Sequence, residues 1–74
     1  MKYDKYLDTS GTLCPIPVIR AKRVLSQLES GQLLLIKATD PASEIDIPYM
    51  CYQMGFSLEK SVRTIEGYTF LVKK

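Results

Sequence analysis

Hydrophobic and polar positions along this chain follow two periods in alternation. Residues 3–8, Tyr-Asp-Lys-Tyr-Leu-Asp, read as a short first strand, and Gly11 breaks the pattern. Pro15 and Pro17 then precede the stripe Val18, Ala21, Val24, Leu25 and Leu28, whose spacing gives a helix one apolar face. Arg20, Lys22, Arg23 and Gln27 fall largely on the remaining surface. Gly31 stands where glycine commonly follows a helix end. The spacing predicts a first helix over 15–29.

Residues 32–39 contain Leu33-Leu34-Leu35-Ile36 and read as a central strand, apolar on both faces and ended by Asp40-Pro41. A second helical pattern runs through Ile45, Ile47, Met50, Cys51 and Met54. Because proline is tolerated only in a first turn, this helix is expected to start near Asp46 as N-cap, after a turn over 42–45, and to close at Gly55. Phe56, Leu58 and Val62 alternate with polar residues as a half-buried strand. Glu66-Gly67 is a turn, and Tyr68, Phe70 and Val72 form the last strand. The order is β-α-β-α-β-β: an α/β protein of the α+β two-layer type, with a mixed four-stranded sheet and both helices on one face. Leu33, Leu35 and Leu71 should then lie on the other, open face.

With 74 residues, 46% of them hydrophobic, the chain suffices for one domain spanning 1–74 with a thin core. No apolar run approaches the ~20 residues of a membrane span. Charges at Lys2, Asp4 and Lys5 fall where an export signal needs its apolar stretch, so a cytoplasmic setting is expected. The net charge of +2, without aromatic platforms or dense arginine clusters, gives no reason to expect direct nucleic-acid binding. The absence of histidine excludes Cys-His dyads, Ser-His-Asp triads and His-ligated metals within this chain.

The chemically informative stretch is Cys14-Pro15-Ile16-Pro17 at the mouth of the first helix. Unpaired N–H groups and the helix dipole at such a position should depress the thiol pKa modestly, and the prolines should stiffen the junction. Acyl transfer by this cysteine would need a base, and none is evident. Sulfur transfer asks for less: a thiolate attacks the outer sulfur of a persulfide and another thiolate leaves. Other readings remain open from the residues alone. Cys14 could be an inert helix-starting cysteine in a regulatory or protein- or RNA-binding module, or it could cycle with Cys51 as a redox pair. Cys51 lies on the stripe of Ile47 and Met54, which suits a core cysteine.

Leu7-Asp8, Gly11, Cys14-Pro15-Ile16-Pro17-Val18, Gly31, Asp40-Pro41 and Asp46-Ile47-Pro48 together resemble the TusA (SirA-like) sulfurtransferase family over nearly the whole chain. The resemblance implies a two-layer α/β sandwich, persulfide sulfur carried on Cys14, and no cofactor. It implies a cysteine desulfurase or other persulfide donor and a downstream sulfur-acceptor protein as partners. In this family the relay can end in 2-thiouridine of tRNA, in thiosulfate use, in sulfur oxidation or in selenium metabolism. Thr12-Leu13 and Ile16 depart from the TusA pattern beside the cysteine, where a partner would be met. Pro15, Ile16, Pro17, Arg20 and Arg23 are the expected supporting or partner-binding residues, with the basic helix flank steering an acidic partner toward a monomeric carrier.

Overall fold

The computed structural model describes residues 2–74. Six elements follow the expected order: β1 (Lys5–Asp8), α1 (Ile16–Gln27), β2 (Leu33–Ala38), α2 (Ser43–Met54), β3 (Ser57–Thr64) and β4 (Gly67–Lys73). They form one four-stranded sheet of order β1-β2-β4-β3. β1 pairs parallel to β2, and β4 pairs antiparallel to both β2 and β3. β2 and β3 therefore run the same way with β4 inserted between them. α1 and α2 are both return crossovers, and both begin at the carboxyl ends of β1 and β2.

The register sorts the sheet residues by face. Leu7, Leu34, Ile36, Ala38, Phe70 and Val72 are buried together with Ala21 and Leu25 of α1 and Ile47, Met50 and Cys51 of α2. On the opposite face Tyr6, Leu35, Leu71 and Lys60 lie in one cross-strand row. Leu33 and Leu35 are half-buried, but Leu71 is only 7% exposed. The expected open apolar strip is thus only partly exposed, with Leu71 buried within its row. A register shift between Leu58 and Lys60 marks an irregularity in β3.

α1 is shorter than the pattern predicts. Leu28 is extended at the C-cap and packs against the core, so the helix stops before Gly31. α2 begins earlier than expected, and Asp46 is not its N-cap. Ser43 N–H, Glu44 N–H and Ile45 N–H each donate three residues back, to Asp40, Pro41 and Ala42 carbonyls. This tight turn starts the helix at Ser43 and leaves Pro48 inside it. Burial of Ile47, Met50 and Cys51 on the same element offsets the lost backbone bond. Gly55 ends the helix at φ 76°, and its N–H donates to Cys51 O. No helix among the described residues is long and apolar enough to cross a membrane.

Candidate functional site

The crossover topology brings the segment after β1 and the segment after β2 to the same edge of the sheet. Thr9, fully buried, anchors the first of these segments. Its N–H and its hydroxyl both donate to Lys37 O, at 2.8 and 2.7 Å. The Thr12 N–H and hydroxyl return to Thr9 O, and Gly11 N–H donates to the Thr39 hydroxyl at 2.8 Å. At the loop's end Cys14 N–H donates to Asp40 Oδ2 at 2.6 Å, and the other oxygen of that carboxylate accepts from Ala42 N–H. The loop that carries Cys14 is therefore tied to the end of β2 and the start of α2 along its length.

Cys14 is exposed, and Cys51 is buried at 2% exposure; both are free thiols. Burial pushes the Cys51 thiol up to about 11. The Cys14–Pro15 peptide is cis. Pro15 is the N-cap of α1, Ile16 is 40% exposed beside the sulfur, and Pro17 is buried against the core.

The Cys14 thiol is raised above its ordinary value, contrary to the sequence expectation. The causes are hydrogen bonding to the Asp46 carboxylate, then desolvation, then the negative charges of Asp46 and Asp40. The helix mouth offers little to oppose them. Pro15 and Pro17 have no N–H, Ile16 N–H is engaged by Leu13 O, and Cys14 N–H by Asp40. The same prolines that stiffen the junction remove the donors on which the expected depression depended.

A cleft of about 210 Å³ opens beside Cys14 between the two helices, lined by Cys14, Pro15, Val18 and Lys22 on one side and Asp46, Tyr49, Met50 and Gln53 on the other. Of the expected site residues, Cys14 and Pro15 line this cleft and Ile16 and Pro17 adjoin it. Arg20 and Arg23 do not line it. Arg20 reaches the end of β1, where its guanidinium lies 3.4 Å from Asp8 O, and Lys22 is the α1 cation in the cleft. Asp40, Asp46, Lys22, Tyr49 and Gln53 were not singled out from the sequence as site residues. Asp40-Pro41 and Asp46-Ile47-Pro48 were nevertheless among the segments that carried the family resemblance. Among the described residues no group of three or more histidine, cysteine, aspartate or glutamate side chains is placed to hold a metal.

Comparison with known proteins points one way. The sequence profile of the family described as sulfurtransferase TusA matches residues 5–74. The chain is 42% identical over 72 residues to the sulfur carrier protein TusA of Allochromatium vinosum, covering 97% of this chain and 95% of that one. It is 47% identical over 74 residues to YrkI of Bacillus subtilis, named as a candidate sulfur carrier, covering 100% and 99%. The crystal structure of a SirA-like protein from Desulfitobacterium hafniense superposes with a TM-score of 0.80 at 28% identity, covering 95% of each chain. The α+β sandwich and its element order agree with that fold.

Proposed function

This chain belongs to the sulfurtransferase TusA family, and on that premise we propose that it is a single-domain sulfur carrier that takes persulfide sulfur on Cys14 and hands it to an acceptor protein. The observation that carries this reading is the contrast between the two cysteines. Cys14 is exposed on a loop fixed by hydrogen bonds at the helix mouth, whereas Cys51 is sealed in the core.

The transfer balances without cofactor or oxidant. A donor persulfide anion, R–S–S⁻, meets the Cys14 thiol. The Cys14 sulfur bonds to the outer sulfur, the donor S–S bond breaks, and the Cys14 proton passes to the departing R–S⁻. The products are the Cys14 persulfide anion and R–SH. The attacking species is the thiolate, so Asp46, whose carboxylate accepts the Cys14 S–H, is placed to relay that proton to the departing R–S⁻ as the S–S bond breaks. The resting protonated thiol is also less open to oxidation than a thiolate. Delivery to the acceptor repeats the exchange in the opposite sense.

A cysteine desulfurase fits the donor role and a thiol-bearing protein the acceptor role, in a reducing compartment such as the cytoplasm, and tRNA thiolation is one process that such a relay can supply. Arg20 and Arg23, on the exposed flank of α1, steer an acidic partner toward the cleft, and Ile16 gives it an apolar contact beside the sulfur. The test is incubation with a cysteine desulfurase and cysteine carrying radiolabelled sulfur. Label should appear on this chain and leave it as sulfide on reduction. A chain that stays unlabelled while the desulfurase itself becomes loaded would overturn the reading.

A further inference from the structure

The cleft beside Cys14 presents opposite chemistry on its two sides. Asp46 faces the thiol, and the exposed Lys22 of α1 lines the same cleft. The two do not pair: among the described residues the one ion pair is Arg63 with Glu44. Across from Lys22, Gln53 Nε2 donates to the Tyr49 hydroxyl oxygen at 3.0 Å. That oxygen is thus engaged as an acceptor, and the Tyr49 O–H proton is left to point elsewhere. Val18, Pro15 and Met50 supply apolar walls between these groups.

A neutral thiol tolerates a facing carboxylate, because its S–H can donate to it. A persulfide is a stronger acid than a thiol and carries its charge on the outer sulfur, about 2 Å beyond the inner one at the S–S bond length. Asp46 and Asp40 repel that charge. The Lys22 ammonium on α1 and the Tyr49 hydroxyl on α2, which both line the cleft, attract it. Lys22 stands about 9 Å along the axis from Ile16 at 1.5 Å per residue, and helical side chains lean toward the N-terminus, which directs its stem toward the cleft mouth.

We infer that this cleft is a binding site for the outer sulfur of the Cys14 persulfide, with the Lys22 ammonium as its charge partner and the Tyr49 hydroxyl as its hydrogen-bond donor. The inference rests on the reading of Cys14 as the sulfur-carrying residue. Loading then moves the side chain from one partner to another: the thiol faces Asp46, and the persulfide anion turns to Lys22 and Tyr49. The charged sulfur is sheltered between the helices until an acceptor thiol arrives. The charged or titratable groups facing it are Asp40 from the loop after β2, Asp46 and Tyr49 from α2, and Lys22 from α1.

The test is an equilibrium property, which a role in partner docking would not move. The full chain is loaded with sodium polysulfide, excess reagent is removed, and one added sulfur on Cys14 is verified by peptide mass mapping. The persulfide-anion absorbance is then titrated against pH at constant ionic strength. Lys22→Gln should raise the ionisation midpoint, making the anion about two- to fivefold less favourable, the scale of an exposed charge pair. Tyr49→Phe should shift it the same way by less, and Lys60→Gln on the open face of the sheet should leave it in place. A Lys22→Gln midpoint equal to the parent's, or a Lys60→Gln shift as large, overturns the binding site while leaving the carrier function standing. Failure of the parent to take sulfur on Cys14 overturns the carrier reading itself, and the binding site with it.

Discussion

The backbone N–H of Cys14 donates to Asp40 Oδ2 at 2.6 Å, across a sequence separation of 26 residues. The other Asp40 oxygen accepts from Ala42 N–H. One carboxylate therefore fixes the reactive loop to the first turn of α2, and the position of the sulfur depends on a residue that belongs to neither Cys14's loop nor its helix.

Asp40→Ala should remove both bonds. With hydrogen bonds to charged groups contributing about 1.5–3 kcal/mol each when sheltered, and Asp40 only half-buried, a loss of about 1–3 kcal/mol in unfolding free energy is expected. Urea denaturation measures it. Amide hydrogen exchange at Cys14 should accelerate more than exchange in the β2–β4 core.

Asp46→Asn should lower the pH at which Cys14 becomes reactive. In the parent the thiol is raised, chiefly by the Asp46 carboxylate, so thiolate forms later on the pH axis than for a free cysteine. The alkylation rate plotted against pH should reach its midpoint earlier in the variant. The sign also fixes the linkage to stability. The folded chain holds the Cys14 proton more tightly than the unfolded chain, so this contribution is full below the ordinary thiol value and is lost as pH rises through the folded one.

Gly67→Ala should destabilise the fold. Gly67 sits at φ 141°, and a Cβ there would lie 2.5 Å from the Ala38 carbonyl oxygen, a backbone atom at the end of β2. Strain and overpacking of this kind cost about 1–3 kcal/mol. Thermal unfolding reads the loss. Because Ala38 adjoins Thr39 and Asp40, the same variant should also loosen the Cys14 loop, seen as faster exchange at Gly11 and Cys14.

Arg20→Glu with Arg23→Glu should slow sulfur transfer from a cysteine desulfurase at low salt, with the difference from the parent shrinking as salt rises, because steering by exposed charges is screened. Alkylation of Cys14 by small reagents should be unchanged, since neither arginine lines the cleft. Equal transfer rates at both salts would move the docking surface away from this flank of α1.

Much of this arrangement is legible in the chain itself. The helical stripe from Val18 to Leu28, the apolar run Leu33–Ile36 and the alternation through Phe70 and Val72 give α1, β2 and β4, because each period reflects which side chains must meet the core. Cys14 stands out because two prolines, Pro15 and Pro17, follow it at a helix start, and Cys51 falls on the buried stripe of α2. The start of α2 is not legible, since Pro48 argues locally for a later start and only tertiary burial of Ile47, Met50 and Cys51 overrides it. The sign of the Cys14 shift is hidden for a related reason. It depends on Asp40 and Asp46, more than 25 residues away in sequence, which the parallel crossover of β1 and β2 delivers to the thiol. Taken alone, Asp46 reads as a helix cap and Asp40-Pro41 as the end of a strand.

The central claim, that sulfur travels on Cys14 and on no other residue, is tested most directly by intact-mass and peptide mapping of three proteins after incubation with a cysteine desulfurase and cysteine. These are the parent, Cys14→Ser and Cys51→Ser. The account predicts one added sulfur on the Cys14 peptide in the parent and in Cys51→Ser, and none in Cys14→Ser, whose fold is checked by circular dichroism. Added sulfur that persists in Cys14→Ser, or that disappears in a folded Cys51→Ser, would contradict it.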